Sequence, residues 1–143
     1  MIEKAKELVG TGQCTVAAVT PDGGILTGRG SSVRPLLDLY RRHRSELAGA
    51  AVADRIVGRA ASCILCAAGA GEVFAFVLSQ SGKEQLERYN IPVSWHKLVP
   101  FIANLRGDDL CPMERTVEGV DDLNDCLDRL AEFADGTRAP DIE

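Results

Sequence analysis

The chain has 143 residues, of which 45% are hydrophobic and 26% are charged, a composition typical of one globular domain. With 16 Lys and Arg against 21 Asp and Glu and no long basic run, the protein is not expected to bind nucleic acid. No apolar stretch approaches the ~18 residues that cross a bilayer, so we expect no membrane association. Five cysteines are an odd number in a chain of this size, which argues against a disulfide framework and favours a reducing, cytoplasmic location.

The first half of the chain predicts a helix, a β-hairpin, a second helix and a strand. Residues 2–9 place apolar side chains at helical spacing and end at two glycines. Residues 14–27 contain two strand-like runs separated by the turn sequence PDGG at 21–24. A helix is predicted to begin at Arg34, where the next residue is a proline suited to a first turn, and an apolar strand follows at 49–53.

The second half continues the alternation of helices and strands. An apolar run that starts at Asp54 and ends before Gly69 predicts a buried helix. The uninterrupted apolar segment 72–78 indicates a strand covered on both faces of a sheet, after which Ser79-Gln80-Ser81 is expected to cap the next helix. Further along the chain we predict a strand at 91–97, an apolar segment of undetermined type at 98–105, a last helix at 121–134 and a disordered tail at 137–143.

This order of elements predicts a single domain, residues 1–136, of the α/β class. A β-hairpin that leads into alternating α/β units gives a three-layer α/β/α sandwich, in which helices cover both faces of a mixed sheet. The chain has no internal repeats.

Four ordered motifs, spread over about residues 14–133, carry a resemblance to a known family. They are VRPLL at 33–37, VADRIVGRAA at 52–61, KLVPFI at 97–102 and GDDLCPME at 107–114. With these motifs the chain resembles the DUF1893 family, small uncharacterised prokaryotic proteins with a cytidine-deaminase-like fold. The resemblance implies that fold, but it implies no activity, because none is established for the family.

The signature of a zinc nucleobase deaminase is absent from the two places where this fold would hold it. Such enzymes bind zinc through H-x-E at one helix start and P-C-x-x-C at the next. After the strand at 49–53 this chain has Asp54-Arg55-Ile56, and after the strand at 72–78 it has SQSGK. We therefore expect no zinc, no other cofactor and no cytidine deaminase activity.

The remaining side chains that could bind a metal fit structural roles better. Cys63 and Cys66 have C-x-x-C spacing, but they lie on an apolar helix and no second cysteine pair completes a zinc site. Buried thiols that act as small hydrophobic side chains explain them. His43 belongs to a basic helix end and His96 to a strand end, where surface or structural roles are more common than catalysis. We expect no metal site.

Arginines at the predicted helix starts suggest an anion site. Cations at a helix N-terminus oppose the helix dipole by about 0.3 to 1 kcal/mol each, so a bound anion would compensate for Arg34, Arg55 and Arg59. In an open α/β sheet these helix starts meet at the carboxyl ends of the strands, where ligands bind. Asp54 is then available to a sugar hydroxyl or a base, and Gly58 allows close approach of a ligand.

Two interpretations of these residues stay open. If they bind a ligand, removal of Arg59 is expected to cost about 1.5 to 3 kcal/mol of binding free energy and to leave the melting temperature almost unchanged. In the structural alternative, Asp54 pairs with Arg34 or Arg59 and the other charges are solvated.

The segment Cys111-Pro112-Met113-Glu114 is the second candidate part of the site. Pro112 fits the first position of a helix, which makes Cys111 the N-cap residue, an environment that activates thiols. We expect Cys111 to be the most reactive of the five thiols and the whole segment to close over a ligand. The alternative is that Cys111 only caps the helix and closes the loop.

Three classes of function follow from the sequence. The first is a protein that binds an anionic, nucleotide-like small molecule. The second is an enzyme that uses Cys111 or Asp54 as a catalytic residue in an undetermined reaction. The third is a protein-interaction module, for which an exposed apolar patch at 99–105 would be the sign. A homodimer is also considered.

Overall fold

The computed structural model describes residues 1–104 and 106–138. Residues 139–143 of the predicted tail at 137–143 therefore lie outside the described residues. Six helices and five strands are found in this part of the chain. The helices are α1 (Ile2–Gly10), α2 (Arg34–Leu47), α3 (Arg59–Ala68), α4 (Gln80–Arg88), α5 (Pro112–Val117) and α6 (Leu123–Arg138). The strands are β1 (Val16–Val19), β2 (Ile25–Gly28), β3 (Ala51–Val57), β4 (Glu72–Ser79) and β5 (Val93–Val99).

The five strands form one mixed sheet in the order β2-β1-β3-β4-β5. β1 pairs antiparallel with both β2 and β3, whereas β3, β4 and β5 run parallel to one another. β4 lies between two strands, and its residues Val73, Phe74 and Ala75 are buried. The predicted α/β class, with a mixed sheet that begins in a β-hairpin, is confirmed.

Helices pack against both sides of this sheet. On one side, Ala5 and Val9 of α1 contact buried residues of β1, β3 and β4. On the other side, α2, α3 and α6 contribute Leu36, Ile64 and Leu130 to a larger apolar core. β3 and β4 lead almost directly into α3 and α4, so both helix starts lie at the same edge of the sheet. Among the described helices, none is long and apolar enough to cross a membrane.

The start of the helix after β3 differs from the prediction. We expected a helix from Asp54, whereas β3 continues to Val57 and α3 begins at Arg59. Asp54 and Arg55 are therefore strand residues, and the helix-dipole argument does not apply to Arg55. Pairing with β4 continues to the end of β3, where the β-branched residues Ile56 and Val57 suit a strand. The apolar side chains of this run fit a helical and a strand pattern equally well, so the sequence pattern did not exclude a helix. Gly58 is the actual boundary.

The other element ends lie close to their predicted positions. β5 begins two residues later than predicted and includes the first part of the undetermined segment at 98–105. α6 also begins two residues late and extends beyond the predicted end at Ala134. Ser79 is the N-cap of α4, and Cys111 is the N-cap of α5 with Pro112 as the first helical residue, as predicted.

Candidate functional site

A cavity of about 500 Å³ opens beside the carboxyl end of β3. Its walls are formed by the end of that strand, the loop that precedes α2, the segment 102–104 and the start of α5. Eight of the nine residues predicted to bind a ligand lie in these walls: Arg34, Asp54, Arg55, Gly58, Cys111, Pro112, Met113 and Glu114. Segments far apart in the sequence thus meet at one place, which we call the Asp54 cavity.

Arg59 is the predicted ligand residue that these walls do not include. Its Nη2 donates a hydrogen bond to the backbone carbonyl of Val120 at 2.7 Å and lies 3.4 Å from Oδ1 of Asp121. These contacts hold the segment before α6 against the start of α3. The geometry therefore gives the Arg59 guanidinium a structural role, and its removal is expected to lower stability, in contrast to the expectation from sequence.

Asp54 lies in the cavity wall with only 8% of its surface exposed. Its Oδ1 accepts a hydrogen bond from the backbone N–H of Arg55 at 2.8 Å, and the Ile56 amide also bonds to the carboxyl group. Within the described residues Asp54 forms no ion pair with Arg34 or Arg59, so the predicted structural pairing is not found. Burial raises the pKa of Asp54 to about 8, outweighing the two amide hydrogen bonds and the charge of Arg55. Burial therefore favours the neutral form of this carboxyl group over the carboxylate.

Glu114 connects the cavity wall to the first turn of α3. Its carboxylate accepts hydrogen bonds from the backbone N–H groups of Arg59 and Ala60, at 2.8 and 2.7 Å. The first N–H groups of a helix lack partners within the helix, and the helix dipole favours an anion beside them. Burial raises the pKa of Glu114, against the lowering effect of these hydrogen bonds and of the Arg59 charge. Glu114 thus caps α3 from a distant segment of the chain.

Gly58 makes this contact sterically feasible. A Cβ atom at position 58 would lie 2.2 Å from Oε1 of Glu114. The backbone of Gly58, with φ of −107°, is open to other residues, so the requirement is for space and not for glycine's conformational freedom. The small residue that we expected to admit a ligand instead admits the carboxylate of Glu114.

Two arginines bring positive charge to the Asp54 cavity. Arg34 is the first residue of α2, and Arg55 follows Asp54 in β3. Neither forms an ion pair within residues 1–104 and 106–138, where the paired arginines are others such as Arg42 and Arg115. Unpaired guanidinium groups beside a concave surface attract phosphate and carboxylate groups.

Cys111 is half-buried in the cavity wall, whereas the other four cysteines are buried. Burial raises the pKa of Cys66 to about 12, and it also raises the pKa of Cys63 and of Cys14. The buried thiols therefore fit the predicted role of small apolar side chains. No group of three or more His, Cys, Asp or Glu in the described part of the chain could hold a metal ion.

The two helix starts at this edge contain none of the deaminase zinc ligands. Because α3 begins at Arg59 and not at Asp54, the residues at its start are Gly58, Arg59 and Ala60. The start of α4, with Ser79 as its cap, has no cysteine either.

Sequence reasoning missed the polar residues that complete the walls. Ser31 and Ser32 precede α2, and Ser32 has a φ of 63°, a left-handed conformation uncommon outside glycine. The small polar run before a predicted helix start was a usable signal for them. Asn104 had no such signal, because its place in the wall depends on the pairing of Ala103 with Leu110.

The apolar segment considered as an interaction patch is divided between two environments. Phe101 is 50% exposed, whereas Ile102 lies in the cavity wall and its carbonyl accepts the N–H of Cys111 at 2.9 Å. Leu105 lies outside the described residues.

These features define an α/β protein with a cavity at the carboxyl end of a parallel strand. The chain belongs to the family described as a domain of unknown function, DUF1893, whose family model matches residues 4–134. Its structure is similar to the crystal structure of a DUF1893 family protein from Thermotoga maritima, with a TM-score of 0.83 and 23% sequence identity over 91% of this chain and 87% of that one. This likeness shows a shared fold. No curated protein matches the chain.

Proposed function

We propose that this protein binds an anionic, nucleotide-like small molecule in the Asp54 cavity. The observation that carries the proposal is the meeting of Arg34, Arg55 and Asp54 in the walls of one cavity, with both arginines free of ion pairs in the described residues. The volume of about 500 Å³ falls within the roughly 300–1,000 Å³ typical of small-molecule sites.

The fold supports this location. Open α/β sheets bind ligands outside the carboxyl ends of their parallel strands, and the cavity lies at the end of β3. We also interpret the fold as a cytidine-deaminase-like, three-layer sandwich, because α1 covers one side of the sheet and the core formed with α2, α3 and α6 covers the other.

The wall residues suggest how such a ligand is held. A phosphate or carboxylate group is expected near Arg34, whose planar guanidinium can donate two parallel hydrogen bonds. Asp54 is placed to hydrogen-bond to a ring or sugar. The α5 segment from Cys111 to Glu114 closes one side of the cavity.

Calorimetry tests the proposal with a panel of nucleoside monophosphates and sugar phosphates. At least one member is expected to bind the wild type. Arg34→Gln should weaken that binding by about 1.5 to 3 kcal/mol, the scale of a lost hydrogen bond to a charged group, and should leave the melting temperature unchanged. Arg42→Gln is the matched control, because Arg42 lies on the same helix in an exposed ion pair with Asp38 and should bind as the wild type does.

Two results would contradict the proposal. One is that no member of the panel binds the wild type. The other is that Arg34→Gln and Arg42→Gln bind the same ligand equally well.

The position of Cys111 in the same cavity favours a second candidate function, a cysteine-dependent enzyme. In such an enzyme the Cys111 thiolate would add to the carbon of a C=O or C=N group, breaking its π bond, and neutral Asp54 would donate its proton to the oxygen or nitrogen that takes up the electron pair. Alkylation followed by peptide mapping should label Cys111 faster than the four buried cysteines, and a bound ligand should slow this labelling. Mass spectrometry of the wild type with its ligand should then show a covalent adduct at Cys111 that the Cys111→Ser variant lacks. A ligand that binds both proteins equally and forms no adduct with the wild type favours the binding function alone.

A further inference from the structure

The carboxyl group of Asp54 is buried in the cavity wall and belongs to no ion pair of the described residues. Asp54 is 8% exposed and lines the cavity, and its Oδ1 accepts the N–H of Arg55 at 2.8 Å. A buried carboxyl group without an ion pair favours its neutral form. The O–H of that form requires an acceptor, and a ligand in the cavity is placed to supply one.

We infer that Asp54 acts as a neutral hydrogen-bond donor to the ligand and thereby selects a molecule with a carbonyl oxygen or a heterocyclic nitrogen at its uncharged end. The inference rests on the proposed function and specifies the chemistry of its ligand. A molecule that has only hydrogen-bond donors at its uncharged end leaves the Asp54 O–H without an acceptor. A second anionic group at that end gains no electrostatic stabilisation from neutral Asp54.

The surroundings of Asp54 support its neutral form. Burial raises the pKa of Asp54 to about 8, and none of the described arginines forms an ion pair with it. The charged and titratable groups around it, beyond Arg55 on its own strand, are Cys14 before β1, Arg34 on α2, and Cys111 and Glu114 at α5.

The test uses the full chain and calorimetry at about pH 7 and about pH 9.5. The probe is cytidine 5′-monophosphate, which has a ring carbonyl and a ring nitrogen and is mainly a dianion at both pH values. Ribose 5-phosphate is the matched probe without the ring. Wild-type affinity for the nucleotide should fall at least tenfold at the higher pH, since a carboxyl group with a pKa of about 8 is then almost entirely ionised.

Two variants separate hydrogen-bond donation from charge. In Asp54→Asn the side-chain carbonyl still accepts the N–H of Arg55, and the NH₂ group donates to the ligand at any pH. Its affinity should stay within about threefold of the wild-type value at pH 7 and change less than about twofold at pH 9.5. Asp54→Leu, which has the same branched skeleton and no donor, should lose at least tenfold at both pH values.

The inference is overturned if wild-type affinity does not change with pH, or if Asp54→Asn loses as much affinity as Asp54→Leu at pH 7, because an ionised carboxylate is then the form that binds. Equal affinity for the nucleotide and for ribose 5-phosphate, unaffected by either variant, also overturns it but leaves the proposed function standing. Failure of the whole panel to bind the wild type contradicts the proposed function, and the inference with it.

Discussion

Two helices begin at the same edge of the sheet, each directly after a parallel strand, and their first turns are stabilised in different ways. The start of α4 is capped locally, because the Ser79 hydroxyl accepts the N–H of Gly82 at 3.0 Å. The start of α3 has Gly58 as its N-cap residue and no side chain of its own to do this. Its cap is the carboxylate of Glu114, 55 residues further along the chain than Arg59.

The difference shows that the first turn of α3 is capped by a distant part of the chain and the first turn of α4 by its own N-cap residue. Glu114 belongs to the wall of the Asp54 cavity, so the first turn of α3 and the shape of that cavity depend on the same contact. Ser79 has no such second role, because it is buried away from the cavity walls. The junction next to the cavity is therefore expected to be the more sensitive of the two to substitution.

The largest effect is expected from Glu114→Ala. The substitution removes the acceptor of the part-buried N–H of Arg59 and of the buried N–H of Ala60, and each such loss costs about 1 to 3 kcal/mol when the group stays unsatisfied. We expect a decrease of about 2 to 4 kcal/mol in the free energy of unfolding, measured by urea denaturation. Glu118→Ala, an exposed acid just after α5, is the control and should change the value by less than about 0.5 kcal/mol. Equal effects of the two substitutions would contradict the distant cap.

The contrast between the junctions also explains which features the sequence could predict. Ser79 and Pro112 act through their immediate neighbours, and both of their predicted positions are confirmed. The prediction that a helix begins at Asp54 was wrong. The apolar run there fits both a helix and a strand, and pairing with β4, a contact between distant residues, makes it a strand. Glu114 was predicted as part of the candidate site, but its contact with α3 was not. That contact depends on how distant elements pack, and no local sequence pattern indicates it.

A double-mutant cycle of Gly58 and Glu114 should show a large coupling between the two positions. In Gly58→Ala the new Cβ displaces the Glu114 carboxylate, so this variant should lose about 2 kcal/mol by removing the same cap. Once Glu114 is alanine, adding Gly58→Ala should cost less than about 1 kcal/mol, because no carboxylate remains to be displaced.

The control for this cycle is Gly136→Ala. No atom lies within 4 Å of a Cβ at that position in α6, so alanine should stabilise the helix by about 0.5 to 1 kcal/mol. Strict additivity of Gly58→Ala and Glu114→Ala would show that the glycine is required for another reason.

The pH dependence of stability should also distinguish the two junctions, because a buried acid lies beside one and a hydroxyl caps the other. The pKa of Asp54 rises from 3.8 to about 8 on folding, so the folded state binds the proton more tightly and wild-type stability falls as pH increases between those values. Asp54→Asn removes this loss, so its stability relative to the wild type should increase by up to about 1.4 kcal/mol per pH unit between pH 4 and pH 8. The desolvation cost of the buried amide is the same at every pH, so urea denaturation across that range should show the slope whatever the offset at pH 4. Parallel profiles for wild type and variant would show that Asp54 titrates normally.

The smallest effect is expected at the local cap. Ser79→Ala removes the acceptor for the Gly82 N–H and should cost about 1 kcal/mol, the usual value for a serine N-cap. Ser81→Ala is the control, because the Ser81 hydroxyl lies 3.3 Å from that of Ser79 but accepts no helix N–H; it should stay within about 0.5 kcal/mol of the wild type. Since Ser79 is uncharged, its substitution should lower stability by the same amount at every pH. A loss at Ser79 as large as that of Glu114→Ala would mean that both junctions depend equally on their caps, and the cavity would then have no special coupling to the start of α3.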